Sequence, residues 1–278
     1  MMQNTSNLWA LLCEELEAPK VGESAAEHSA AARKFEEASK HLFKKHPARL
    51  RDALEIAGDV HQAAESFEDA RQSFEDAIAV PDPTPEQTAR LSTKLALLAE
   101  VRGDLEDARR RYAVAVEACE KTSAKAQLPT LLNNLAGLHR ACGDFTTSEK
   151  IYQRALDAAT AAHGASHPEV ALIANNYGVA CTDHGDFAKA ENLHLRALQI
   201  REEVFGSHHP DVGQSLANLA VVYHAKRLYA KAERFYRSAL ETLLQFYGPE
   251  DPQLKNIRAN YDSLPQIHAR KLSKTMRL

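Results

Sequence analysis

The sequence has few of the residues that mark disulfide-stapled, membrane-spanning or nucleic-acid-binding proteins. Four of its 278 residues are cysteines, and aromatic residues make up 6%. Because Cys13, Cys119, Cys142 and Cys181 follow no disulfide or metal-site spacing, we expect a reducing compartment. No stretch approaches the roughly 20 apolar residues of a membrane span, so we expect no membrane insertion. A net charge of −4 argues against a nucleic-acid partner, since general nucleic-acid binders are usually strongly basic.

The N-terminal residues also lack the pattern of a secretory signal. Their apolar run, residues 8–13, is short, has no basic region ahead of it and is followed by three glutamates within four residues. Together with the cysteine usage, this pattern leads us to expect a cytoplasmic protein.

Motifs of the common enzyme classes are missing as well. The chain contains no Gly-x-Ser-x-Gly, no Gly-rich phosphate loop followed by Lys-Ser/Thr, and no His-Glu-x-x-His. The pair Glu191 and His194 has metal-like spacing, but a di-iron bundle needs two such motifs. We therefore predict a protein that is not an enzyme and has no cofactor, no catalytic site and no metal site.

One short sequence motif occurs twice in the chain. His-Pro-Glu-Val begins at His167 and His-Pro-Asp-Val begins at His209, an offset of 209 − 167 = 42 residues. A third start, Asp251-Pro252, lies 42 residues further on. Self-similarity at a fixed period of this size indicates stacked units of supersecondary structure.

The register of small residues and rings extends the repeat toward the N-terminus. Alanines recur at 38 to 42 residue intervals at positions 38, 77, 115, 155, 197 and 239. Three residues before each alanine comes a ring: Phe35, Phe74, Tyr112, Tyr152, His194 and Tyr236. Small residues let two helix backbones approach while the ring fills the space beside them, so this register predicts pairs of helices. The position of His194 in this register therefore indicates a packing role in the core rather than metal binding.

We divide the chain into four parts. Residues 1–48 form a divergent N-terminal helical cap, 49–250 an array of about five helix pairs, 251–264 a C-terminal capping helix, and 265–278 a basic tail. The predicted pairs are 49–63 with 67–80, 86–101 with 105–121, 126–141 with 145–163, 168–183 with 187–205, and 210–225 with 229–247. Helices are also predicted at 7–18, 24–45 and 252–263.

Helix-start signals separate these pairs. Thr84 with Gln87 predicts a capping box, and Ser166 with Glu169 predicts another. Four histidines near the later starts suggest a metal site at first sight: His163, His167, His208 and His209. Because these positions recur where helices begin, we interpret them as helix-start residues.

Two-helix units with this register resemble the tetratricopeptide repeat. The longer period, the loop Gly-x-x-His/Asp-Pro-x-Val and the Asn-Asn pair resemble its kinesin-light-chain type. These features are carried by residues 164–170, 206–212, 248–254, 133–134 and 175–176. The resemblance is close over about 126–262. It implies an all-α fold, a right-handed α-solenoid of antiparallel helix pairs, whose first helices line a concave groove that binds extended peptides.

The same resemblance assigns residues to the groove. They are Lys94, Asn133, Asn134, Arg140, Asn175, Asn176, Gln214, Asn218 and His224. An amide side chain offers two donors and an acceptor, so a row of asparagines can pair with a peptide backbone. The alternative is that the asparagines bond to neighbouring helices and set the pitch of the superhelix. Arg90, Lys94 and Arg140 place positive charge among acidic groove residues, which would favour an acidic peptide.

The leading hypothesis is a non-catalytic adaptor or scaffold that binds a protein or peptide in this groove. The alternatives are a dedicated chaperone or peptide sensor for one client, and a regulatory subunit of a separately encoded enzyme. Homo-oligomerisation through the acidic N-terminal segment and the basic tail stays open.

Overall fold

The computed structural model describes residues 24–122 and 125–264, and these residues form twelve α-helices and no strand. The helices are α1 (Ala25–Leu42), α2 (Pro47–Ala63), α3 (Phe67–Ala79), α4 (Pro85–Val101), α5 (Leu105–Glu120), α6 (Leu128–Ala141), α7 (Phe145–His163), α8 (Pro168–His184), α9 (Phe187–Phe205), α10 (Pro210–Ala225), α11 (Tyr229–Leu243) and α12 (Pro252–Asp262). The all-α repeat fold predicted from the sequence is confirmed.

The helices follow the predicted pairs closely. The helix predicted at 24–45 ends earlier, at Leu42, and the helix predicted at 229–247 also ends earlier, at Leu243. The last predicted helix is α12. The helix predicted at 7–18 and the basic tail at 265–278 lie outside the described residues, so the division of the chain into caps and array stays a prediction. The chain divides into two compact units, unit 1 ending at Leu131 and unit 2 beginning at Leu132.

Several helices begin at a side-chain cap, and one of these caps differs from the predicted residue. Thr84 accepts from the backbone N–H of Gln87, whose side chain accepts from Thr84, as the predicted capping box requires. At α8 the cap is His167 rather than Ser166, because His167 Nδ1 accepts from the N–H of Glu169. An imidazole nitrogen thus takes the role that sequence statistics assign to a hydroxyl.

The second helices bury a ring, and in two pairs this ring lies directly against a glycine of the first helix. In unit 1, Phe74 of α3 is fully buried against Gly58 of α2. In unit 2, His194 of α9 lies in the same way against Gly178 of α8. Buried alanines one turn further along each second helix, such as Ala77 and Ala197, let the backbones approach. The predicted ring register is therefore the packing register of both units.

We expect Gly58→Ala to lower the free energy of unfolding by about 1–3 kcal/mol, the usual cost of overpacking a core. A Cβ at Gly58 would lie 2.4 Å from Phe74 Cε1, and the buried ring has little room to move. The matched control is Gly137→Ala, whose Cβ would lie 3.5 Å from Tyr152 Oη, an ordinary contact. Because alanine favours helix over glycine, the control should be neutral or stabilising. Urea denaturation measures both, and equal effects would contradict the packing argument.

Candidate functional site

Asparagines on the first helices of unit 2 bond to one another from repeat to repeat. Asn176 Nδ2 of α8 donates to Asn133 Oδ1 of α6 at 3.0 Å. Asn218 Nδ2 of α10 donates to Asn175 Oδ1 of α8 at 2.8 Å. In both cases the asparagine at the second position of one repeat bonds to the asparagine at the first position of the repeat before it, which ties neighbouring first helices together.

Further amides extend this row at both ends. Asn133 Nδ2 donates to Asn134 Oδ1 at 3.3 Å, and Gln214 Nε2 donates to Asn218 Oδ1 at 3.0 Å. Gln253 at the start of α12 donates to Gln214. We call the whole set the amide ladder: Asn133, Asn134, Asn175, Asn176, Gln214, Asn218 and Gln253. Gln253 was missed in the sequence because its spacing from Gln214 is 253 − 214 = 39 residues, which departs from the 42-residue period.

Two neighbouring asparagines of the ladder have different surroundings. Asn175 is 7% exposed, and its Oδ1 also lies 3.3 Å from Nδ1 of the buried His194. Asn176 is only partly buried and donates one hydrogen bond. Within the described residues, Asn176 Oδ1 accepts no hydrogen bond from the protein. Asn175 is therefore a bridge inside the fold, whereas Asn176 keeps unused hydrogen-bonding capacity.

Other predicted groove residues of unit 2 already have side-chain contacts. Arg140 Nη1 lies 2.7 Å from Asp183 Oδ2, forming an ion pair between α6 and α8. The His224 ring packs edge-on against Tyr229 with ring centroids 5.8 Å apart.

Leu172, one turn before Asn176 on the same side of α8, is 46% exposed. The face beside Asn176 therefore combines an exposed apolar side chain with an amide.

The basic residues predicted for the groove in unit 1 are neutralised. Arg90 makes a two-pronged contact with Glu55, Nε to Oε1 and Nη2 to Oε2, both at 2.7 Å. Lys94 Nζ lies 2.6 Å from Asp59 Oδ1 and 2.9 Å from Glu55 Oε1. Burial raises the pKa of the Glu55 carboxyl, but hydrogen bonds from Arg90 and Lys94 outweigh burial and hold the pKa below its usual value.

These ion pairs remove the basis of the expected preference for acidic peptides. The sequence placed the cations on one face, but Arg90, Lys94 and Arg140 each contact a carboxylate of the neighbouring first helix. A pair of opposite charges at this distance presents little net charge to a ligand.

Across residues 24–122 and 125–264, no helix combines the length and hydropathy that a bilayer span requires.

The sequence matches known family profiles, and the fold matches solved structures. Profiles of the tetratricopeptide repeat match residues 57–123, 127–203 and 181–245. The sequence has no significant match among curated proteins.

Among solved structures, BtubC (BKLC) from P. vanneervenii is 25% identical, with a TM-score of 0.66 over 82% of this chain and 95% of that chain. TPR-like repeats from Podosopora anserina, described as those of a putative kinesin light chain, are 17% identical, with a TM-score of 0.61 over 72% of this chain and 97% of that chain. YrrB, described as a TPR protein with an unusual peptide-binding site, is 13% identical, with a TM-score of 0.55 over 81% and 99%.

The profile matches cover most of the helix pairs found in the structure, and the structural relatives share their arrangement. All the matching profiles describe a helical repeat, and none describes a catalytic family. The chain therefore belongs to the tetratricopeptide repeat family.

Proposed function

We propose that this protein is a non-catalytic adaptor or scaffold, and that unit 2 binds an extended peptide segment across its first helices. The face concerned is formed by α6, α8 and α10. The observation that supports it is the unused hydrogen-bonding capacity of Asn176 beside an exposed leucine. YrrB, which shares the fold, is described as having a peptide-binding site.

Amide chemistry explains how such a face would hold a peptide. A primary amide has two N–H donors and an oxygen with two lone pairs. Asn176 spends one N–H on Asn133, so its second N–H and its oxygen can pair with the C=O and N–H of a peptide backbone. This pairing is independent of the peptide's side chains, as it is at the edge of a sheet.

The surroundings of Asn176 indicate what kind of segment fits. Leu172 supplies apolar surface, while the nearby Arg140 is paired with Asp183. A peptide with an uncharged centre and an apolar side chain near Leu172 would bury that surface without breaking the ion pair. We therefore propose an extended, apolar segment of a partner protein rather than an acidic one.

Two neighbouring substitutions separate binding from fold stability. Peptides that bind the wild-type protein are selected from a random display library. The affinity of one selected peptide for the wild type and for each variant is then measured by fluorescence anisotropy. We expect Asn176→Ala to weaken binding about tenfold, the loss of about 1.4 kcal/mol of hydrogen bonding to the peptide. The melting temperature should change little, since one partly exposed hydrogen bond is lost.

The matched control is Asn175→Ala. It removes bonds to Asn218 and His194 inside the fold, so it should lower the melting temperature while binding changes less than for Asn176→Ala. If both variants lose binding and stability alike, the ladder is a structural device. If no library peptide binds and one chain co-purifies stoichiometrically, a dedicated chaperone or a regulatory subunit is favoured instead.

A further inference from the structure

The junction between α7 and α8 brings two histidines and a glutamate together. His163 at the end of α7, His167 at the cap of α8 and Glu169 in its first turn each offer one ligand atom, and these atoms lie within 4.8 Å of one another. His163 Nε2 is 3.0 Å from Glu169 Oε2. We propose that this junction binds a divalent transition-metal cation of the Zn²⁺ class.

The next repeat provides an internal comparison. There Phe205 stacks on His209 with ring centroids 4.4 Å apart and an interplanar angle of 23°, while His163 stacks on His167 at 4.5 Å and 24°. The cap hydrogen bonds also agree. The Glu169 N–H donates to His167 Nδ1 and the Asp211 N–H donates to His209 Nδ1, both at 3.2 Å. Packing at this junction therefore needs only a ring. The imidazole of His163 adds a metal ligand that the fold itself does not require.

The three ligands suit the proposed ion. Imidazole nitrogen and carboxylate oxygen both bind Zn²⁺ at about 2.0–2.2 Å. Two such ligands on one ion, at the angles of an octahedron or a tetrahedron, lie about 3.0–3.4 Å from each other. The 3.0 Å between His163 Nε2 and Glu169 Oε2 falls in this range, so little movement is needed for both to bind.

The cap of α8 limits the affinity of this site. Because His167 Nδ1 accepts the cap hydrogen bond, ligation through this atom replaces a bond worth about 1 kcal/mol. His163 and His167 are exposed, so water completes the coordination. We therefore expect a weaker site than a closed structural zinc site, and one that fastens the end of α7 to the start of α8.

Calorimetric titration of Zn²⁺ into untagged full-length protein tests the proposal. We expect His163→Phe, which copies the ring of the second junction, to weaken binding by about tenfold or more, since even groups outside the ligand shell commonly contribute that much. Its melting temperature without metal should change little, because Phe205 packs in the same way and a partly exposed pair such as His163 with Glu169 contributes little stability. His208→Ala removes another exposed histidine and should leave Zn²⁺ binding unchanged.

A gain of binding gives a second readout. Phe205→His combined with Asp211→Glu rebuilds the three ligand types at the second junction and should add one binding equivalent. Equal Zn²⁺ binding by the wild type and His163→Phe would overturn the proposal, as would a wild type that neither binds Zn²⁺ nor gains melting temperature with it. The result is independent of peptide binding, because the peptide assays use different residues.

Discussion

Replacing Arg51 by methionine is expected to lower the free energy of unfolding by about 3 kcal/mol, since a buried acceptor that loses its hydrogen-bond donor costs about 1–3 kcal/mol. Arg51 of α2 is 2% exposed. Its Nη2 donates to the carbonyl oxygens of Val80 and Pro81 at 2.8 and 2.7 Å, and its Nη1 donates to Gln87 Oε1 at 2.8 Å. The guanidinium therefore holds the turn between α3 and α4. Its loss removes the donor from the carbonyl oxygens of Val80 and Pro81, while Gln87 Oε1 keeps only the bond from the Thr84 N–H.

The control for this prediction is Arg110→Met. The Arg110 side chain is 73% exposed and pairs with Asp107, so its loss should change stability by no more than about 0.5 kcal/mol. Urea denaturation gives both free energies, and hydrogen exchange of residues 80–87 locates the effect. Methionine fills much of the same volume without a charge. If Arg51→Met is as stable as Arg110→Met, the guanidinium contributes no net stability and only fills space.

Acidification is expected to remove up to about 3 kcal/mol of stability through His194 alone, at about 1.4 kcal/mol per unit of pKa. Burial, helped by the nearby positive charge of Arg201, lowers the pKa of His194 from 6.5 to about 4. The unfolded chain therefore binds a proton more readily than the folded chain between these values. This contribution is complete above pH 6.5 and is lost as the pH falls toward 4.

His194→Phe isolates this contribution from the carboxylates that titrate in the same range. The pair Gly58 and Phe74 shows that a phenyl ring packs on glycine at the same spacing, so the variant should fold, with a modest loss from the bond to Asn175. Unfolding free energies of both proteins are measured from pH 7 to pH 4. The difference between them should narrow or reverse as the pH falls. A constant difference would mean that His194 is protonated equally in both states.

The local architecture was predictable because it repeats. Alanines and rings at intervals of 38 to 42 residues gave the helix pairs, and Thr84 and the prolines gave helix starts. The cap of α8 was misplaced by one residue, since a histidine is a rare helix cap while the preceding serine is a common one. His194 was correctly placed in the core because the register, rather than its chemistry, fixed its position.

The polar contacts were not predictable in the same way. The sequence placed Asn133, Asn175, Asn176 and Asn218 on facing helices, but it left open whether they bind a peptide or each other. The structure bonds them in pairs 176 − 133 = 43 residues apart, one more than the period, because the second position of one repeat bonds to the first position of the repeat before it. Asn176 is left with unused capacity, and this is what makes it the centre of the proposed site.

The sequence by itself determined the all-α repeat fold, the register of each helix pair and the position of its core rings. Only the tertiary structure decided which polar side chains are already satisfied. Arg90, Lys94 and Arg140 form ion pairs with carboxylates of neighbouring helices. Arg51 donates hydrogen bonds within a turn, and His163 contacts Glu169 at the junction of two helices. The physical reason is distance. Helix formation and core register depend on residues a few positions apart, whereas most of these polar partners lie 30 or more residues away and meet only when the helices pack.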